Sequence, residues 1–221
     1  MPLVKKGRNL LGFLLLFFPA FLLVFVATRG CKHHFKTLDI LGVLPRYQFV
    51  DASGNVRNSS EFNNEIIIVT TLQKSCPYAC AVSFWHFNQI LYQHIRKNSH
   101  KQLKKVRIIS FVTDGLGNPS NDLNQLQQTL KDQVEGYDPK LWILAQGNAK
   151  SLYNFTRNGQ NLLQEGKQYF GGNAYQELML LVDKKQQLRM VLKGNQEGLI
   201  RHMKESLALL LKQYDKERST R

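Results

Sequence analysis

The stretch from Glu65 to Cys80 constrains the fold more than any other part of this chain. The β-branched apolar run Ile66-Ile67-Ile68-Val69 continues through Thr70-Thr71-Leu72-Gln73-Lys74-Ser75 into Cys76-Pro77-Tyr78-Ala79-Cys80, and a helical pattern follows at once. An unbroken apolar run reads as a strand buried on both faces. Pro77 suits the first helical position, where a missing N–H costs nothing. Cys76 then sits near the N-cap and Cys80 one turn inside. Side chains four apart share a helix face, with Cβ atoms ~5–6 Å apart in a regular helix. A disulfide needs ~3.5–4.5 Å, a gap the backbone closes if Cys76 lies just outside the helix. The same spacing leaves room for a metal ion between two thiolates. The helix N-terminus and Lys74 both favour the thiolate, and soft thiolates select Cu(I). Cys31 is the only other cysteine, so the pair is a site and not part of a dense disulfide scaffold.

Strand and helix patterns alternate along the rest of the chain. Tyr47-Gln48-Phe49-Val50-Asp51, the turn Ala52-Ser53-Gly54-Asn55 and Val56-Arg57 predict a small hairpin. A helix is predicted from Ala79 to about Asn98, a strand over Val106–Thr113, a loop over Asp114–Ser120 and a helix over Asn121–Gln133. Leu141–Ala145 reads as a strand, Asn148–Thr156 as a helix and Gly159–Gly172 as a loop. The runs Glu177–Asp183 and Leu188–Lys193 form a second hairpin, and Gln196–Lys212 is an amphipathic helix. The order predicts an α/β domain of thioredoxin-like fold, with an N-terminal hairpin extension and insertions.

The N-terminus points to a membrane. Lys5, Lys6 and Arg8 precede a run from Leu10 to Thr28 that holds no charged residue. Its length approaches the ~20 residues that cross a bilayer and exceeds the ~7–15 of a cleaved signal. We therefore expect a cytoplasmic tail (1–9), a transmembrane signal anchor (10–28), a linker (29–46), the main domain (47–213) and a charged tail (214–221). The basic tail puts the N-terminus inside and the domain outside. The short N-terminus lacks an Arg/Ser-rich organellar transit pattern, so the expected location is a bacterial inner membrane with the domain in the periplasm. Gly30-Cys31 has the shape of a lipoprotein cleavage site, although Arg29 is atypical there. The net charge of +14 and pI near 9.8 suit an anionic membrane surface or an acidic partner. No zinc-finger or RNP-type motif accompanies the charge, so nucleic acid is not an expected partner.

The motif Thr71-x-x-x-Ser75-Cys76-Pro77-x-x-Cys80 resembles that of the Sco/SenC family. Phe49-x-Asp51-x-x-Gly54 is similar to that family's opening hairpin, and Asp114 to Asp122, with Pro119 between, to its aspartate loop. Trp142-x-Leu144 and Leu181-Val182-Asp183 resemble two of its strands. The resemblance covers residues 45–213. It implies a membrane-anchored thioredoxin-like protein that assists assembly of the copper centre of cytochrome c oxidase. Cys76 and Cys80 would be its redox pair or its Cu(I) ligands, copper its cofactor, and an oxidase subunit or another respiratory complex its partner. Two positions depart from the family. Ala81 replaces the motif's second proline. The family's ligand histidine, some eight residues before the late aspartate, falls on Tyr175, or on Asn173 with a two-residue shift.

No histidine lies between His100 and His202. On regular helix geometry His86 is rotated about 240° from Cys80, and His94 lies ~21 Å along the axis, so both read as surface residues. His33 and His34 form a juxtamembrane basic stretch, and His100 and His202 read as polar surface. Two thiolates alone can hold Cu(I), whereas Cu(II) favours imidazole and higher coordination. The expectation is a Cu(I)-only or metal-free dithiol site. Two other functions fit the sequence. A periplasmic thiol–disulfide oxidoreductase would use Cys76 as nucleophile and Cys80 to resolve the mixed disulfide. Its spacing is not Cys-x-x-Cys, and no proline precedes Glu177–Asp183. A non-catalytic accessory subunit of a respiratory complex would need neither thiol.

Overall fold

Period-two alternation in the central strands sorts their side chains onto two faces. In β4 (Ile66–Gln73), Ile66 and Ile68 enter one apolar cluster while Ile67 and Val69 enter another. The same division holds in β5 (Val106–Thr113), with Ile108 and Val112 on the first face and Ile109 and Phe111 on the second. It holds again in β6 (Trp142–Gln146) and in β9 (Leu178–Val182). Each strand is therefore covered on both sides, as its unbroken apolar run requires.

The computed structural model describes residues 16–25, 37–73, 84–101, 103–164 and 174–219. Contacts divide the chain into two units, 1–36 and 37–221. Among the described residues of the second, eight strands form one sheet in the order β1 (Gly42–Val43), β10 (Gln187–Lys193), β9, β4, β5, β6, β2 (Gln48–Asp51) and β3 (Val56–Asn58). Strand β4 pairs in parallel with β5, and β5 with β6, whereas β9 is antiparallel to β4 and β10 (Gln187–Lys193) to β9. The block β10-β9-β4-β5 with its covering helices is a thioredoxin-like core. The hairpin β2 (Gln48–Asp51) and β3 (Val56–Asn58) extends the far edge, with β2 antiparallel to β6.

Among the described residues, three helices cover the first face. Helix α1 comprises a π-helical segment, Phe87–Tyr92, continued by the α-helical segment Gln93–Asn98. Helices α2 (Leu123–Gln133) and α4 (Glu197–Ser219) complete the layer. Trp142 anchors this side: the rings of Phe84, Phe87 and Tyr92 lie 5.6, 5.2 and 5.1 Å from it. Its indole N–H donates to Ser110 Oγ at 2.8 Å, so the buried donor is satisfied. The second face is covered by α3 (Ala149–Tyr153), by the short 3₁₀ segments Leu162–Gln164 and Ala174–Glu177, and by aromatic side chains from the β2–β3 side.

Three expectations need correction. The predicted linker contributes Leu38 and Leu44 to the core and forms strand β1 (Gly42–Val43), antiparallel to β10. The charged tail from residue 214 is not separate from the last helix, because α4 runs to Ser219 and Tyr214 packs against the first core cluster. The predicted helix over Asn148–Thr156 is only Ala149–Tyr153, and a two-stranded ribbon, β7 (Thr156–Arg157) with β8 (Gln160–Asn161), follows it. The predicted span 10–28 lies partly outside the described residues. Residues 16–25 are helical with exposed apolar side chains. Among the described residues no helix is long and apolar enough to cross a membrane.

Candidate functional site

Strand β4 ends at Gln73, three residues before Cys76, and Gln73 is in register with Thr113 at the end of β5. In open α/β sheets chemistry gathers at the carboxyl ends of parallel strands. Cys76 and Cys80 themselves, with Lys74, Ala81 and Asn173, lie outside the described residues. Strand β4 stops beside a turn and a short 3₁₀ segment that both belong to the described residues.

Two segments build this end. The first is the turn Asp114–Asn118, which closes like the tip of a hairpin. The Asp114 N–H donates to Asn118 O at 2.9 Å and the Gly117 N–H to Asp114 O at 3.1 Å. Asp114 Oδ1 accepts the N–H groups of Leu116 and Asn118 at 2.9 and 2.8 Å, and Asn118 Nδ2 donates to Oδ2 at 3.0 Å. Gly117 has φ of 75°, which is why glycine occupies it. The bonds from Asn118 hold the Asp114 carboxyl below the usual carboxylate range, helped by Leu116 and by the charge of Lys150. Lys150 reaches the turn from α3, donating from Nζ to Asn118 Oδ1 at 3.2 Å.

The second segment is Ala174–Glu177, just before β9. Gln176 ties both central strands to it. Its Nε2 donates to Thr113 Oγ1 and to Asp114 O, both at 2.8 Å, while its carbonyl accepts from Thr71 Oγ1 at 2.7 Å. Tyr175 is buried, its ring 4.9 Å from that of Tyr153, and its hydroxyl donates to Gly117 O at 3.0 Å. Burial, and then the nearby Asp114 charge, push its hydroxyl pKa up to about 12. Tyr175, one of the two positions on which the resemblance places the family's histidine, is thus a neutral phenol committed to bracing the Asp114 turn, and the other, Asn173, lies outside the described residues. Sequence reasoning singles out Tyr175 and Asp114. It misses Gln176 and Lys150, whose polar side chains carry no motif and gain meaning only from partners far along the chain.

The remaining histidines are scattered. His86, expected on the surface, is largely covered, with Nε2 3.6 Å from Glu197 Oε2 at the start of α4. His94 is half-buried; burial first, and Lys204 second, hold its pKa below the usual range. The count of 100° per residue does not carry from Cys80 to His94, because Phe87–Tyr92 is π-helical. His100 and His202 are exposed as expected. His33 and His34 lie outside the described residues. Among the described residues no three His, Cys, Asp or Glu side chains form a metal-binding group.

No family model and no curated protein matches the chain. Solved structures do. A lipoprotein of the Sco/SenC family from Bacillus anthracis is 18% identical, with a TM-score of 0.51 over 76% of this chain and 96% of that one. BsSco, a member of the Sco family of cytochrome c oxidase assembly proteins described for its disulfide switch, is 16% identical at a TM-score of 0.50, over 76% and 96%. A candidate protein disulfide isomerase from Bacteroides thetaiotaomicron is 11% identical at 0.51, over 80% and 95%. At these identities the likeness shows the shared thioredoxin-like fold.

Proposed function

We propose that this chain is a Sco/SenC-type protein that assists cytochrome c oxidase assembly through the thiols of Cys76 and Cys80. The observation that carries the reading is the placement of the Cys-Pro-x-x-Cys motif. It directly follows β4, the central strand of a fold similar to Sco-family structures, at the carboxyl end where Gln176 and Tyr175 fix the neighbouring turn. Residues 10–28 would anchor the protein in a bacterial inner membrane, with the domain on the periplasmic side.

Copper fits this chain only in part. The donor set that the sequence offers at the site is two soft thiolates, suited to Cu(I). Tyr175, where a count back from Asp183 puts the family's imidazole unless a two-residue shift moves it to Asn173, uses its hydroxyl proton on Gly117 O and is kept neutral by burial. Copper would therefore be carried as a Cu(I) cargo on Cys76 and Cys80, or the pair would act by thiol exchange on the cysteines of an oxidase subunit. In the exchange, a Cys76 thiolate attacks a target disulfide and releases one target thiolate. Cys80 then displaces the second target sulfur, leaving a Cys76–Cys80 disulfide and a reduced partner.

Anaerobic titration of the full chain in detergent tests the proposal. We expect one equivalent of Cu(I) to bind, binding to be lost in Cys76→Ser and Cys80→Ser, and no Cu(II)–thiolate absorption band to form. A stable Cu(II)–thiolate band would overturn the two-thiolate site. Failure to bind Cu(I), together with a pair that neither oxidises nor reduces a model disulfide, would leave the accessory-subunit reading. The likeness to the Bacteroides protein favours general thiol–disulfide exchange as the second reading. Turnover on a non-oxidase disulfide substrate would decide for it.

A further inference from the structure

Strand β4 is eight residues long, so roughly 25 Å separate the thiol end of the sheet from its opposite pole. Basic residues that look scattered in sequence gather at that pole. Helix α1 runs back along the sheet, so its last turn brings Lys97 there and the connection into β5 brings Lys101, Lys104 and Lys105, all exposed. Strand β9 is antiparallel to β4, with Val182 opposite Ile67, so the β9–β10 turn delivers Lys184 and the exposed Lys185 to the same pole. Backbone bonds join the pieces: Ile66 N–H donates to Lys105 O at 2.8 Å and Asn64 N–H to Lys184 O at 3.1 Å. Lys184 Nζ stands 4.4 Å over the Tyr214 ring of α4. Its pKa is lowered by burial first, and then by Arg218 and Lys105, with Asp215 and Glu217 opposing, so cations from three elements meet at one place.

The acids at this pole do not cancel the charge. Glu65 is engaged by Arg107 at 3.1 Å and Asp183 by Arg189 at 2.9 Å. Asp39 at the start of the domain and Asp215 and Glu217 on α4 remain exposed, the last two beside Lys216 and Arg218, so three exposed acids stand against the lysines gathered here.

We infer that this basic pole docks on the anionic headgroups of a lipid bilayer, leaving the thiol end facing away from it. The choice of lipid over an acidic protein comes from where the domain begins. Arg189 donates to the carbonyls of Leu38 and Asp39 and to Gln213 Oε1, and pairs with Asp183, which pins the start of the domain at this pole. Upstream in sequence come Arg29, Lys32 and Lys36, and before them the uncharged apolar run Leu10–Thr28. Eight residues extend at most about 28 Å. If that run enters a bilayer, as proposed above, the pole stays within reach of the headgroups. A short tether of this kind raises the effective concentration of weak ionic contacts.

The test uses the full chain reconstituted in phosphatidylcholine vesicles with or without phosphatidylglycerol, read by flotation and by hydrogen exchange. We expect exchange at residues 99–105 and 183–188 to slow several-fold in phosphatidylglycerol vesicles only. Raised ionic strength should reverse the effect, and residues 113–120 should be unaffected. The variant Lys104→Glu/Lys105→Glu/Lys185→Glu, at exposed positions, should lose the protection while keeping the same melting temperature within a few degrees. The Gln versions at these positions should lose it in part. Equal protection in pure phosphatidylcholine, or none in either lipid, overturns the inference. Protection by soluble polyglutamate but not by phosphatidylglycerol overturns it in favour of an acidic polypeptide. Failure to float with phosphatidylcholine would count against the membrane anchor instead, and the copper and thiol assays are blind to both outcomes.

Discussion

The turns at Asp114 and Asp183 are the same local structure in two different settings. In each, the aspartate N–H donates to the carbonyl four residues on, and the N–H three residues on returns to the aspartate carbonyl. In each, the carboxylate accepts the N–H groups two and four residues ahead: Leu116 and Asn118 in one, Lys185 and Gln187 in the other. The residue three ahead has positive φ, 75° at Gly117 and 60° at Gln186. Asp51 builds a third copy, with Gly54 at φ of 83°. Each of the first two is braced by one tyrosine. Tyr175 donates its proton to Gly117 O, whereas Tyr214 accepts from the Lys184 N–H at 3.3 Å. What differs is the environment. Asp183 is 1% exposed and ion-paired to Arg189, while Asp114 faces the site end with Lys150 and Asn118 as its partners. The motif makes a turn in either place, and burial decides whether it is a keystone or an adjustable rim.

Breaking the two turns should therefore have unequal effects. The largest is expected from Arg189→Met, which strands the buried Asp183 carboxylate and releases Leu38, Asp39 and Gln213. Removing one partner of a buried pair costs about 3–5 kcal/mol, read as a lower denaturant midpoint at unchanged m. Next is Tyr175→Phe, which leaves the Gly117 carbonyl without its donor at a cost of about 1–3 kcal/mol. A wild-type midpoint would show that the phenol does not brace the site.

Close behind is Gly117→Ala. An L-residue held at positive φ costs about 1–2 kcal/mol, while Gln186→Ala, already non-glycine, should cost less.

An alkaline titration separates the two tyrosines. Burial raises both from the ordinary 10.0 to about 12, so their neutral forms contribute stability that is complete below pH 10 and is lost as pH rises through 12. Ionised Tyr175 loses the proton it gives to Gly117 O, but a Tyr214 phenolate can still accept from Lys184. Exchange at 114–118 should quicken at lower pH than exchange at 183–187, and simultaneous opening would remove the distinction.

The smallest change is expected from Asp114→Ala. It should speed exchange at Leu116 and Asn118 several-fold without a large shift in global stability. Because the Asp114 carboxyl is held below its usual range, its contribution is present above that range and fades as pH falls through the lowered value.

Much of the architecture is legible in residue order. The apolar runs at β4, β5 and β9 announce strands covered on both faces, since a strand without polar alternation has no face to give to water. The turn at Asp51 is legible through Gly54 and the loop at Asp114 through its glycines, whereas the tight turn at Asp183 carries Gln186 where a glycine would have flagged it. Strand β1 escapes sequence reasoning because two residues leave no periodicity to detect. The π-helical turn Phe87–Tyr92 escapes it because its rings Phe87 and Tyr92 pack on Trp142 of β6, a partner far along the chain.

The sequence by itself determined that paired thiols follow a buried strand at a helix start, and that no histidine stands where the resemblance calls for one. Both are matters of residue order, and local propensity acts on residue order directly. Only the tertiary structure decided that Tyr175 holds the neighbouring turn, that Gln176 joins β4 to β5, and that scattered lysines converge opposite the thiol end. Those outcomes depend on strand register and direction, which bring residues 58 to 150 positions apart into hydrogen-bond range. No short window of sequence encodes such distances.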